Sequence, residues 1–350
     1  MSTPDSLVLE SAGRMFGDLC TDMVLAEADA GAWPERLWAA IEEFGLAAAM
    51  VPEEHGGFGI QAAEAFALLR LAGTAALPLP LAETMVANRL LALAGLPITS
   101  GPMTVALGPG LCLQRDGGNL RLTGTAVRVP WGRSAEIVAV ASDADGSWLV
   151  RLGREGVAAT PGANIAHEPR DRLEIGAALP ADAAAQLPEG LTEPDVLAML
   201  AATRCSQMSG AMARIAEISA GYALERHQFG RPIAKFQVIQ QNLAVLAEQA
   251  AAATAAADLA AEAAEAKPVR RLAVAAAKTR AGEAAGQVAA IAHQVHGAMG
   301  FTQEFRLHHL TRRLWSWREE YGNETYWAQQ LGSALAGAGA GGLWAAITAV

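Results

Sequence analysis

After position 190 the chain becomes a succession of long alanine-rich runs with brief breaks, and this limits its fold more than any other feature. Alanine is the strongest helix former. The runs over about 193–226, 233–265, 269–297 and 320–337 predict four helices, separated at HQFGRP, AKP and HGAMGF. Glu193, Pro194 and Asp195 stand where acids and proline favour a helix start. Long helices with short links pack as an antiparallel bundle. Beyond them, GAGAGG (337–342) reads as a flexible low-complexity tail.

The first hundred residues also read as helical. LWAAIEEFGL (37–46) spaces apolar residues as a helix does and stops at Gly45. VPEEHGGFGI (51–60) is a glycine-rich loop, and helical periodicity resumes over 61–98 with interruptions at Pro78 and Pro80. Between the helical regions, MTVALGPG, LCLQRDGGNLRLTGTAVRVP, AEIVAVASD and GSWLVRLG alternate apolar and polar positions. DGG (116–118) and DADG (143–146) are hairpin signals within this block. The expected fold is α+β and mainly helical. It has an N-terminal helical domain (1–100), a small middle β-domain (101–190) and a C-terminal antiparallel four-helix bundle (191–350).

The chain has 350 residues, 52% of them hydrophobic and 18% charged, enough for a large buried interior in more than one domain. The net charge of −10 argues against nucleic acid as the main partner. Cys20, Cys112 and Cys205 are far apart in sequence, so neither a disulfide framework nor a metal pair is expected. The N-terminal stretch lacks the basic-then-apolar order of a signal peptide. The most apolar stretches, 196–220 and 331–350, are broken by glycine or charge, so no membrane span is expected. A reducing, cytoplasmic setting follows as an expectation.

Three segments carry chemistry. Glu225-Arg226-His227-Gln228-Phe229-Gly230-Arg231-Pro232-Ile233, followed by Phe236-Gln237, lies where one long helix hands over to the next. Its arginines are permanently charged planar forks, and such a corner either cradles a pyrophosphate or is a plain helix–helix turn. Gln294-Val295-His296-Gly297-Ala298-Met299-Gly300-Phe301 has glycines that either let a ligand approach the backbone or cap a helix. The third segment runs from Thr311-Arg312-Arg313 to Glu319-Glu320-Tyr321-Gly322-Asn323-Glu324.

Together these segments resemble the acyl-CoA dehydrogenase family. ERHQFGRPIAKFQVIQ is similar to a family segment whose arginine and Phe-Gly pair contact the FAD of a neighbouring subunit. The resemblance therefore implies Arg226, Gln228, Phe229 and Gln237 as cofactor residues. QVHGAMGF is similar to the family's Q-x-x-G-G-x-G-F stretch along the FAD adenosine, implying Gln294, Gly297 and Ala298, with Ala298 where a second glycine is usual. LWAAIEEFGLAAAMVPEEHGGFG resembles the family's N-terminal scaffold.

In the family an arginine leads, nine residues later, to a catalytic glutamate. That glutamate removes the α-proton of the acyl thioester while the β-hydrogen leaves as hydride to the flavin. An ungapped count from Arg312 lands on Tyr321. Either the loop is shifted so that Glu320 is the base, or this position holds none and Glu319 and Glu320 are solvated charges at a helix start. Asn323 follows as a cofactor residue.

Arg204 is similar, about three residues out of register, to a family arginine that serves the active site, whereas Glu217 reads as a surface residue. Two departures stand in the middle region. The segment 104–110 lacks the acid and serine of the family's Thr-Glu-Pro loop. Arg128 and Pro130 occupy the positions of a tryptophan and a flavin-facing threonine. The resemblance implies an acyl-CoA substrate, FAD, electron-transfer flavoprotein or a similar acceptor, and a homo- or heterotetramer (or dimer). It also leaves open a non-catalytic or half-site subunit of a heteromeric enzyme.

Overall fold

The computed structural model describes residues 7–116 and 119–348. Helices come first: α1 (Leu7–Leu19), α2 (Asp22–Asp29), α3 (Glu35–Glu43), α4 (Ala62–Thr74) and α5 (Leu81–Leu93). Eight strands follow: β1 (Met103–Ala106), β2 (Cys112–Asp116), β3 (Asn119–Pro130), β4 (Glu136–Asp143), β5 (Gly146–Leu152), β6 (Val157–Thr160), β7 (Arg170–Pro180) and β8 (Ala184–Gln186). Then come α6 (Glu193–Glu225), the two-residue strands β9 (His227–Gln228) and β10 (Arg231–Pro232), α7 (Gln237–Glu265), α8 (Arg271–His296), α9 (Leu307–Glu319) and α10 (Glu324–Thr348). This is the mainly helical α+β fold expected, with its strands between two helical regions.

Contacts group the chain into two compact units. One comprises Ala26–Ala65 and Pro78–Leu200. Its sheet has the strand order β6-β7-β3-β2-β4-β5-β8, with β1 pairing alongside β4 in parallel. Alternate positions of β3 and β7 point inward, and Leu122, Ile137, Val150 and Leu173 are fully buried in its core. β4 and β5 form the hairpin expected at DADG, with Asp143 opposite Gly146 and Asp143 Oδ1 accepting from the Asp145 amide at 2.7 Å. The other expected turn, at 117–118, lies outside the described residues, but its flanks Asp116 and Asn119 pair. β3 carries a bulge between Ala126 and Val129, where Arg128 takes φ +55. Pro130 ends that strand opposite Arg170. α5 is buried almost all round, as a core helix is. Its Thr84 hydroxyl accepts from the Met103 amide that opens β1.

The other unit comprises the residues through Leu25, Phe66–Leu77, and everything from Ala201 onward. Here α4 meets α6 backbone to backbone. A methyl on Gly73 would fall 2.0 Å from Gln207 O, and one on Gly210 would fall 1.9 Å from Arg70 O. Glycine at both positions permits the approach. Arg70 adds bonds to Ser209 and Asp258.

The bundle directions follow from pairs of contacts. Lys278 meets Arg318 and His293 meets Thr311, so α8 and α9 are antiparallel. Arg204 meets Glu320 and Tyr222 meets Phe305, so α6 also opposes α9. α7 turns back through residues 266–270 and opposes α8, with Arg280 bonded to Gln249. α7 is long and apolar enough by length and composition to cross a membrane. In this fold its alanines at 253, 257, 260 and 264 are buried.

Two sequence expectations are corrected. The last bundle helix does not begin at 320, because α9 ends at Glu319 and α10 begins at Glu324. Glu319 and Glu320 therefore stand at a helix end. The glycine-rich tail is not a loose segment either: helix continues to Thr348 and is broken only at Gly339, whose φ and ψ are 65° and 173°.

Candidate functional site

The unit containing the bundle carries two groups of candidate side chains, one just past the C-terminal end of α6 and one against Arg204 in its first half. The first is the α6–α7 corner. Arg226 follows the last turn of α6, and the Ile233 amide donates to its carbonyl at 2.8 Å. β9 and β10 pair across a two-residue turn in which Phe229 has φ +51 and Gly230 φ +78. Two positive φ values match the twist of a tight hairpin. The strain of that turn holds Phe229 outward, 92% exposed. Its ring meets Phe236 edge-on at 6.1 Å, and the Arg231 guanidinium lies 4.3 Å over Phe236. Arg226, Gln228 and Gln237 are also exposed.

The same end of the bundle holds the second glycine segment. α8 stops at Gly297, with φ +59 and ψ −137, a conformation open essentially to glycine alone. A methyl there would meet nothing within 4 Å, so the residue is dictated by the backbone and not by crowding. Gln294, Gly297 and Ala298 are exposed. Tyr222 ties this segment to the corner: its hydroxyl lies 3.3 Å from His296 O and its ring stacks on His296 at 4.5 Å. His293 stacks on Phe301 at 4.2 Å and lies 3.0 Å from Thr311 Oγ1. Burial lowers the pKa of both histidines, aided at His293 by neighbouring His296 and His308. The structure thus brings Arg226, Gln228, Phe229, Gln237, Gln294, Gly297 and Ala298, named from two separate sequence segments, to one bundle end.

Glu320 lies away from the corner, against the first half of α6. Arg204 precedes Tyr222 on α6 by about 27 Å at the helical rise per residue. Arg204 is 1% exposed and donates through Nε to Glu320 Oε2 at 2.8 Å, and the Glu320 side chain is 13% exposed. A second Arg204 bond goes to Gln207. Its guanidinium also lies 5.1 Å from the Tyr321 ring and 6.0 Å from Trp317. Glu320 has extended geometry (φ −83, ψ 142), followed by Tyr321 at φ +55 and Gly322 at φ +92. This abrupt break takes Glu320 off the helical track of α9. Trp327 Nε1 donates to Tyr321 O at 3.0 Å.

Asn323 sits beside this break. Its Oδ1 accepts from the Tyr326 amide at 3.0 Å and its Nδ2 donates to Glu319 at 3.1 Å, so it caps α10. Glu217 is exposed and pairs with Arg214 at 2.9 Å.

Sequence reasoning missed Lys278. Its Nζ donates to Arg318 O at 2.8 Å and Gly322 O at 2.9 Å, and the side chain is 1% exposed. A signal was present, since Lys278 shares one helix face with Val274, Ala281 and Ala285, all buried.

Comparison with known proteins places this arrangement in a family. The acyl-CoA dehydrogenase N-terminal domain family matches residues 7–97, and the acyl-CoA dehydrogenase C-terminal domain family matches residues 195–333. Acyl-CoA dehydrogenase IpdE2 of Mycobacterium tuberculosis (strain ATCC 25618 / H37Rv) is 30% identical over 293 residues, 80% of each chain. The chain belongs to the acyl-CoA dehydrogenase family. Among solved structures, the Tcur3481-Tcur3483 steroid ACAD (a variant) has a TM-score of 0.85 at 25% identity, covering 95% of this chain and 98% of that one. The ChsE4-ChsE5 complex from Mycobacterium tuberculosis has the same fold, with a TM-score of 0.85 at 24% identity over 96% and 99% of the two chains. As a member of this family of oxidoreductases, the chain shares its helix–sheet–helix architecture along nearly its whole length.

Proposed function

We propose that this chain carries out FAD-dependent α,β-dehydrogenation of an acyl-CoA thioester to the 2-enoyl-CoA, with Glu320 as the base. The observation that carries this reading is the Glu320 carboxylate, set in the break between α9 and α10 and oriented by buried Arg204. The residues present fit a flavin dinucleotide. The corner offers an exposed guanidinium, exposed amides and an exposed ring, and the Gly297 backbone has open space beside its Cα. Arg226 would pair with the pyrophosphate, Gln228, Phe229 and Gln237 would flank it, and Gln294, Gly297 and Ala298 would border the adenosine. Asn323, three residues beyond Glu320, is proposed to contribute its backbone, since its side chain is used as a cap. FAD, when bound, accepts the β-hydrogen as hydride.

This chain's own residues handle the proton. Glu320 would take the α-proton, provided the acyl carbon binds within hydrogen-bond reach of its carboxylate. Arg204 fixes the carboxylate's direction, and Trp317 and Tyr321 enclose the guanidinium, keeping water from competing for it. Because Arg204, which holds the acid, and Tyr222, beside the corner, lie about 27 Å apart along α6, one protomer's corner is proposed to serve a neighbour's flavin. A homo- or heterotetramer (or dimer) follows from that arrangement. Electron-transfer flavoprotein or a similar protein is proposed as the acceptor. The free cysteines suit a cytoplasmic setting.

A second reading is a half-site subunit of a heteromeric enzyme. Two observations favour it: β3 ends in Pro130, which offers no hydroxyl, and two structural relatives are described as a paired steroid ACAD and a two-component complex. The purified chain separates the two. If it is yellow, with about one flavin per protomer, and reduces an artificial acceptor with a straight-chain or steroid-side-chain acyl-CoA, the first reading stands. A colourless chain that gains flavin only with a second polypeptide overturns it in favour of the second. Glu320→Gln is expected to keep its flavin and lose at least about 100-fold in rate. Retained activity in that variant removes Glu320 as the base.

A further inference from the structure

α8 lays three residues, one turn apart, under the link that carries Glu320: Lys278, Gly282 and Gly286. A methyl on Gly282 would fall 1.9 Å from Glu324 Oε1, and one on Gly286 would fall 3.3 Å from Arg318 Nη1. These small residues leave space on α8 for the Glu324 carboxylate and the Arg318 guanidinium, which pair with each other at 3.0 Å. At the head of the row, the Lys278 ammonium bridges Arg318 O at 2.8 Å and Gly322 O at 2.9 Å. These two carbonyls bracket Glu319, Glu320 and Tyr321. Carbonyls in the last turn of a helix lack helical donors and need another partner. An ammonium, with three donors on a compact charge, can satisfy one carbonyl from each side of a break.

Four groups face Lys278: Cys205 and Arg204 from α6, Glu320 from the link and Glu324 from α10. Burying a charge is costly unless it is bonded and paired, and here the ammonium bonds one carbonyl on each side of Glu320. We propose that Lys278 is a positioning residue for proton abstraction: by tying the carbonyls of Arg318 and Gly322 to one ammonium, it holds the Glu320 carboxylate where Arg204 orients it. This rests on the reading of Glu320 as the base.

Burial, opposed by Cys205, Glu324 and Glu320, brings Lys278 down to about 8. The ammonium is therefore lost just above neutrality, and a neutral amine holds carbonyls less firmly. The turnover rate kcat then falls as pH rises through that value, while Arg204 stays charged.

The test compares full-length wild type with Lys278→Met and Lys278→Gln, measuring kcat and KM across pH together with amide hydrogen exchange over residues 318–324. Misplacing the base by a fraction of its reach should lower kcat roughly 10- to 100-fold in Lys278→Met. KM should stay within about threefold, because acyl-CoA binding is not what the lysine serves. The alkaline fall in kcat should vanish, exchange in the link should quicken, and the glutamine amide should restore part of the rate. Unchanged kcat with the alkaline fall intact overturns the proposal, as does unchanged exchange. Should Lys278→Met fail to fold, the wild-type pH profile and Lys278→Gln carry the test in the same terms. If wild type itself performs no dehydrogenation, the functional reading has failed, and hydrogen exchange alone decides whether the lysine clamps the link.

Discussion

At the residue scale, Lys278 and Gly297 show two opposite reasons for an unusual choice. Lys278 is a charge placed where alanine would be easy, and the fold bears the cost of burying it. Its pKa near 8 lies below the ordinary 10.5. Between those values the unfolded chain holds a proton that the folded chain has released, so stability rises with pH across that window. Below about 8 the full cost of the buried ammonium is present. Each unit of difference corresponds to about 1.4 kcal/mol, giving a few kcal/mol over the window. Chemical denaturation of wild type and Lys278→Met from about pH 7 to 10.5 should show the wild type gaining on the variant as pH rises. A constant gap between them would mean that burial does not lower the lysine's pKa. Gly297 has room for a side chain but not the backbone for one. Gly297→Ala should cost about 1–3 kcal/mol by melting. A variant as stable as wild type would show that the segment relaxes out of its positive φ.

At the element scale, α6, α7 and α8 were legible to within a few residues, because alanine-rich runs between glycine and proline breaks leave little alternative. α9 was not read as a helix of its own. Leu307, Leu310, Leu314 and Trp317 have helical spacing, but the buried face also carries His309, Thr311, Arg313 and Ser316. Buried polar residues erase the contrast on which periodicity depends. For the same reason, counting from Arg312 could not decide between Glu320 and Tyr321: the count assumes a continuous helix, and the break falls at Glu320. The corner was legible as a turn. The outward aim of Phe229 follows from two successive positive φ values, which sequence reveals only at Gly230. Phe229 and Arg226 are exposed in the protomer, so Phe229→Ala and Arg226→Ala should change thermal stability by less than about 0.5 kcal/mol. The same variants should lose flavin on gel filtration if the corner grips the dinucleotide. Full flavin retention in both would assign the corner to packing alone.

At the scale of the whole molecule, the distance along α6 matters more than any single contact. The exposed corner follows the C-terminal end of α6, while Glu320 is held by Arg204 in the first half of the same helix, and α6 and α8 both run antiparallel to α9. On the proposed reading, a complete site takes its acid from one protomer and its arginine corner from another. That makes a prediction that the point variants alone cannot test. Arg226→Ala chains and Glu320→Gln chains are each expected to be poorly active. Co-expressed with different tags and isolated as mixed assemblies, they should regain activity, because some sites then pair an intact acid with an intact corner. Random assembly leaves about a quarter of all sites intact and an isolated mixed dimer about half, so recovery to between those fractions of wild type is expected. Recovery should follow the proportion of mixed species as the expression ratio is varied. If mixed assemblies form yet stay as inactive as either parent, corner and acid serve one flavin within a single protomer, and the extended two-chain arrangement proposed for this family member falls.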